Sequence, residues 1–230
     1  LKSGSNRMGR SFEEERQRLV EELRREGYVK SDRVAKALLK VPREEFVLPK
    51  YRRYAYLDMP LPILSGQTIS APHMCAIMCE ELELREGLKV LEVGTGSGYH
   101  AALCAEIVAP RGGGGYVCSI EYFRELASFS KRNLRRAGYD DRVSVINGDG
   151  SSLLPFRDEF DRILVTAAAP KIPPKLMECL KPGGIMVIPI GTSLLQTLKV
   201  VIKENIEKYI VRERGSCCFV KLRGLEGFAD

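Results

Sequence analysis

Apolar residues change their spacing partway along this chain. Up to about residue 82 they recur at helical intervals; from Leu88 onward short apolar runs take over. Ser11 and Glu14 form an S-x-x-E capping box ahead of the first helical stretch, and Gly27 marks its end. Ser31 or Asp32 starts a second helix that places Val34, Ala35, Leu38 and Leu39 on one face and stops near Pro42. Positions 43–66 are broken by Pro49, Pro60 and Pro62, which predicts loops and short turns able to cover a site. Beyond Leu88 the apolar runs predict strands at 89–93, 116–120, 143–146, 162–165 and 185–190. Helices are expected between them: one through Ala101, Leu103 and Ile107, one over 123–137 ended by Gly138, and a short one over 173–180. Strands alternating with helices imply an α/β fold, a doubly wound and mostly parallel sheet covered on both faces. Residues 197–222 read as a strand extension, through Val200 to Ile202 and through Phe219 and Val220.

The organisation expected is a leader or remnant over 1–10 followed by one domain over 11–230. Within it, 11–85 forms a helical part that lids the substrate, and 86–230 forms the cofactor-binding sheet. The 230 residues suffice for one core. At 44% hydrophobic and 29% charged the composition is that of an ordinary globular domain. A net charge of +6 is mild; it suits anionic ligands without requiring nucleic acid, and no aromatic-rich basic patch adjoins the motifs. No run approaches a membrane span of about 20 apolar residues, so a cytoplasmic protein with no membrane partner is expected. Seven cysteines with no C-x-x-C pair, beside two histidines, speak against a metal site and for reduced, buried thiols.

The chemistry concentrates at strand ends. Glu92-Val-Gly94-Thr-Gly96-Ser97-Gly98 joins the first strand to its helix. Glycines let the backbone approach a ligand, and the helix start offers free N–H donors. The spacing is G-x-G-x-G; a dinucleotide fingerprint would want a further glycine where Tyr99 stands, and no P-loop lysine follows. The second strand runs into Glu121, placed to accept hydrogen bonds from both ribose hydroxyls. The third is followed by Gly148-Asp149-Gly150, where Asp149 is placed to accept from an adenine amino group. Taken singly, these are a tight turn, a capping acid and a loop acid. In this order at the carboxyl edge of one sheet, they describe a nucleoside pocket.

Leu91 to Gly98 resembles motif I of the S-adenosylmethionine methyltransferases, which makes the expected sheet Rossmann-like in their manner. Gly66-Gln67-Thr68-Ile69-Ser70-Ala71-Pro72-His73-Met74 resembles the signature of the protein-L-isoaspartate (D-aspartate) O-methyltransferases. Pro60-Leu61-Pro62, the run from Val165 to Pro170 and Leu180-Lys-Pro-Gly-Gly184 are similar to the same family. The resemblance implies S-adenosyl-L-methionine as methyl donor, S-adenosyl-L-homocysteine as product, and the carboxylate of L-isoaspartyl residues in damaged proteins as acceptor. The methyl ester collapses to a succinimide whose hydrolysis returns some normal aspartate. By position it implies cofactor contacts at Gln67, Thr68, Ile69, Cys75, Glu92, Gly94, Gly96, Ser97, Glu121, Tyr122, Asp149 and Gly150. Ser70 becomes the active-site serine, and Thr68, Thr166, Ala167 and Arg223 join it on the substrate side. Action as a monomer is expected.

The residues alone leave alternatives. Ser70 precedes a helical face of Met74, Ile77, Met78 and Leu82, so it also reads as that helix's N-cap, with Pro72 in the first turn. The small residues after Thr166 either leave room for a peptide backbone or close a tight connection. Competing functions are a methyltransferase acting on RNA or a small molecule, and a nucleoside-binding module without catalysis. Methylating a carboxylate needs no strong general base, because an acid with a pKa of about 4 is already ionised at neutral pH.

Overall fold

The structure, a computed structural model, describes residues 10–111, 113–152 and 154–229. Apart from Arg10, the expected leader lies outside the described residues. Helix α1 (Phe12–Arg25) opens with the reciprocal capping box: the Glu14 N–H donates to Ser11 Oγ and the Ser11 N–H to Glu14 Oε2. Helix α2 (Asp32–Lys40) is capped by Ser31, whose Oγ accepts from the Val34 N–H. Positions 43–66 are the expected turns, three short 3-10 segments and the two-residue strand β1 (Leu61–Pro62). β1 pairs antiparallel with β2 (Thr68–Ile69), which leads into α3 (Pro72–Glu81).

The sheet then begins: β3 (Lys89–Val93), α4 (Tyr99–Val108), β4 (Tyr116–Glu121), α5 (Arg124–Ala137), β5 (Val143–Asn147), β6 (Phe160–Val165), α6 (Pro174–Cys179), β7 (Leu180–Gly191), β8 (Gln196–Lys203) and β9 (Tyr209–Cys217). Seven strands lie in the order β5-β4-β3-β6-β7-β8-β9. The first five are parallel to their neighbours, while β8 and β9 add on antiparallel. The chain reverses direction across the sheet between β3 and β6, and such a switch point opens a crevice at the carboxyl edge. Alternation along β3 feeds two cores. Val90 packs with α1 to α5 on one face; Leu91 and Val93 pack with Phe160, Ile163, Leu176 and Met186 on the other.

Three expectations change. Phe219 and Val220 are not a strand: the segment touches the sheet through an isolated bridge between Ala168 and Lys221. The last strand is instead Tyr209–Cys217, exposed over most of its length. Ser70 does not cap α3. The N-cap position falls on Ala71, and no side chain caps the helix. Pro72 at the helix start has no N–H to satisfy, which removes part of the need for a cap.

Candidate active site

A cavity lies at this crevice, open to solvent at one side. Its floor is the turn after β3. Gly94, Gly96 and Gly98 all have positive φ, at 98°, 55° and 89°. Gly94 has a second reason to lack a side chain: a Cβ there would collide with Thr166 Oγ1. That hydroxyl donates 2.5 Å to the Gly94 carbonyl and 3.2 Å to that of Val93, so the ends of β3 and β6 are stitched together. Asn133 of α5 donates 3.0 Å to the Ser97 carbonyl, which pins the far side of the turn.

Glu121 ends β4 in the cavity wall. Its Oε2 accepts the Gly96 N–H at 2.8 Å and its Oε1 accepts the Phe123 N–H at 3.0 Å. A carboxylate has about four acceptor sites, so these bonds do not exhaust it, even with the Tyr122 backbone N–H also acting on it. Burial pushes the Glu121 carboxyl up, against those backbone hydrogen bonds that hold it ionised. Ser97 Oγ is buried in the same wall with no partner among the described residues. A buried hydroxyl without a partner costs about 1–3 kcal/mol, and a polar ligand in the cavity would relieve it. An anchored carboxylate with spare acceptor capacity, an orphaned hydroxyl and close glycine backbone fit a nucleoside cofactor. No group of three or more metal-ligating side chains gathers among the described residues.

Gln67, Thr68, Ile69, Ser70, Tyr122 and Gly150 line this cavity, as do Thr166, Ala167 and Arg223. Two expected cofactor contacts do not. Glu92 is fully buried beneath the turn, in register with Ser119 of β4, whose hydroxyl donates to it. Burial raises its carboxyl to about 8, so it is held protonated at neutral pH. Asp149 turns toward the end of the chain. Its Oδ1 accepts from the Ser151 N–H and Oγ, at 2.8 and 2.6 Å, and its Oδ2 from Ser152 Oγ and the Leu225 N–H, at 3.0 and 2.9 Å. Four hydrogen bonds thus already reach this carboxylate, which borders a neighbouring pocket together with Tyr122, Phe123 and Arg223. Burial would raise this carboxyl, but the hydrogen bonds outweigh it and hold it below the usual carboxylate range.

The tail that Asp149 holds is itself a wall. Leu222 N–H donates to the Ala168 carbonyl and Ala168 N–H to that of Val220, both at 2.7 Å, and Glu226 N–H reaches Ser151 Oγ at 3.1 Å. This brings Val220 to Arg223 against the cavity that Ser70 also lines. The sequence reading missed Tyr99 and His100, which also line it. Both sit in an almost wholly apolar first turn of α4, which reads as core. Burial lowers the His100 imidazole to about 4, so it stays neutral. His73 stands outside the cavity, its Nδ1 2.9 Å from both oxygens of Asp58.

Fold and cavity together define an α/β methyltransferase of the S-adenosylmethionine-dependent class. The model of the protein-L-isoaspartate(D-aspartate) O-methyltransferase family matches residues 14–227, and the chain belongs to that family. Among relatives named protein-L-isoaspartate O-methyltransferase, that of Hyperthermus butylicus is 56% identical over 95% of this chain and 92% of its own length. That of Methanopyrus kandleri is 53% identical over 95% of this chain and 96% of its own. A structure assigned as such an enzyme from Plasmodium falciparum, in complex with S-adenosyl-L-homocysteine, superposes with a TM-score of 0.81 at 29% identity, covering 90% of this chain and 98% of that one. No helix among the described residues is long and apolar enough to cross a membrane.

Proposed function

We propose that this chain repairs damaged proteins by methylating the free carboxylate of L-isoaspartyl residues, with the cavity divided into a cofactor half and an acceptor half. When bound, S-adenosyl-L-methionine supplies a methyl group on a positively charged sulfur, which a carboxylate oxygen displaces in line. Glu121 takes the ribose hydroxyls on the acceptor capacity that its backbone N–H partners leave. Ser97 Oγ and the backbone of Gly94 and Gly96 hold the part of the cofactor over the turn. Tyr122 and Gly150 border its base, and Gln67, Thr68 and Ile69 close over it. The observation that carries the cofactor half is the pairing of Glu121 with the Gly96 N–H, which fixes a carboxylate against the glycine turn.

The acceptor half lies between Ser70 and the tail. No side chain there needs to take a proton, because the acceptor arrives ionised. Ser70 Oγ, free of a capping duty, donates a hydrogen bond that orients the carboxylate without neutralising it. Thr68, Thr166, Ala167 and Arg223 border the peptide on either side. Holding oxygen and methyl carbon in line can supply about 7–11 kcal/mol of the barrier reduction. Walls that exclude water strip the carboxylate of hydration and strengthen it as a nucleophile. Action as a monomer in the cytoplasm belongs to the same proposal; the seven cysteines, which stand as free thiols, fit the reducing compartment and do not bear on the monomer.

The test is conversion. An isoaspartyl peptide incubated with the chain and excess S-adenosyl-L-methionine is followed by chromatography over repeated cycles. Progressive appearance of the aspartyl isomer, with methanol released at each turn, supports repair. Stable methylation with no isomer exchange would contradict it.

A further inference from the structure

Arg43 is wholly buried, and no acidic side chain pairs with it among the described residues. A buried cation without a counter-ion is costly, by several kcal/mol after relaxation. The guanidinium is held by carbonyls instead. Its Nε donates 2.9 Å to the Ala55 carbonyl and its Nη2 donates 2.8 Å to the Ser70 carbonyl. Nη1 makes no hydrogen bond among the described residues. The plane lies 4.8 Å from the centre of the Tyr99 ring, and Phe46 packs edge-on against that ring at 5.7 Å. Ser70, Tyr99 and Cys75 all line the cavity, and Arg43 stands behind them. Its charge reaches that wall: burial raises the Cys75 thiol to about 12, and Arg43 is the largest opposing influence.

We propose that Arg43 is a positioning residue for methyl transfer, which sets the orientation of Ser70 by gripping its carbonyl. The proposal rests on the acceptor role of Ser70 given above. Ser70 sits between strand β2 and the uncapped start of α3, so neither the ladder nor a cap fixes its peptide. The fork of Arg43 holds it at 2.8 Å, the strong contact on the Ser70 carbonyl beside a long one from the Cys75 thiol at 3.9 Å. It ties Ser70 to Ala55, 15 positions earlier along the chain. Only a guanidinium can span both carbonyls; an ammonium is a point donor. Arg43→Lys therefore keeps the charge and loses the bridge.

The experiment measures kcat, acceptor KM, S-adenosyl-L-homocysteine affinity and thermal midpoint for Arg43→Lys and Ser70→Ala, and for the double variant, beside the unchanged chain. Arg43→Lys is expected to lower kcat about 10-fold, a positional effect of the size seen when reacting groups shift by a fraction of an ångström. Cofactor-product affinity and acceptor KM should stay within about 3-fold, and the double variant should fall little below Ser70→Ala alone, as coupling through one residue requires. A kcat that stays unchanged in folded Arg43→Lys, or losses that multiply in the double variant, would overturn the proposal. Should Arg43→Lys fail to fold, Phe46→Leu loosens the Tyr99 platform while keeping every donor. A fall in kcat of about 3-fold that disappears in the Ser70→Ala background supports the proposal; an unchanged kcat contradicts it. Inactivity of the unchanged chain on isoaspartyl peptide would instead fail the acceptor reading, and leave the variants to be compared on whatever acceptor is found.

Discussion

On the proposed cofactor side of the cavity, Gly94, Gly96 and Glu121 belong to two neighbouring parallel strands and the turn between strand and helix. On the proposed acceptor side, Ser70 comes from before the sheet begins, while Val220 to Arg223 come from the far end of the chain. The first half is held by short-range geometry: positive φ at three glycines, a threonine stitch and backbone hydrogen bonds from Gly96 and Phe123 to Glu121. The second is held by reach, through Arg43 on one wall and Asp149 on the other. Damage to the first should therefore abolish binding, and damage to the second should spare the cofactor while slowing or loosening the acceptor.

The largest effect is expected at Gly94. Gly94→Ala forces a side chain into positive φ and against Thr166, at about 2–6 kcal/mol together. The thermal midpoint should drop by about 10 °C, and calorimetry should find no S-adenosyl-L-homocysteine binding at micromolar cofactor. Retained binding would show that the turn has slack the structure does not. Next comes Ser70→Ala, where turnover should fall about 10- to 100-fold from loss of one oriented donor. Steady-state rates read beside calorimetric cofactor affinity check this, since equal losses in both would place Ser70 on the wrong side of the comparison. Asp149→Asn keeps the shape but weakens the charge-assisted bonds to Ser151, Ser152 and Leu225. Acceptor KM should rise about 5-fold while cofactor-product affinity changes less. The reverse order would return Asp149 to the adenine.

The smallest effect separates stability from chemistry. The Glu92 carboxyl is raised to about 8 when folded, from 4.5. The folded state then binds the extra proton between those limits, so this group's stabilisation is complete below about pH 4.5 and is lost as pH climbs toward 8. Glu92→Gln should remove that slope. Its thermal midpoint should decline less than that of the unchanged chain between pH 6 and pH 9, by a few degrees. Parallel declines would mean that Glu92 does not carry the charge-state change.

The same division explains what the sequence disclosed. Strand β3 was legible at its observed bounds, because Lys89 to Val93 is a short apolar run between turns. So was the stop of α5 at Gly138, which takes positive φ. The glycine turn with Glu121 needed only the order of elements. Strand β9 was hidden because Arg212, Glu213 and Arg214 alternate with nothing apolar, and its pairing comes from β8 rather than from a buried face. Phe219 and Val220 read as a strand from their side chains, yet the Phe219 N–H donates to Gln196 Oε1 and the Ala168 N–H to the Val220 carbonyl at the cavity wall. Asp149 showed its type and place but not its partners, since Leu225 lies 76 positions on. Arg43 carried no signal at all, for burial against two carbonyls leaves no trace in local pattern.

The most direct measurement is transfer of labelled methyl from S-adenosyl-L-methionine to two peptides that differ only in carrying isoaspartate or normal aspartate at one position. The account predicts label on the isoaspartyl peptide alone, released by mild base as methanol. Label on neither peptide, with S-adenosyl-L-homocysteine still bound, or equal label on both, would contradict it.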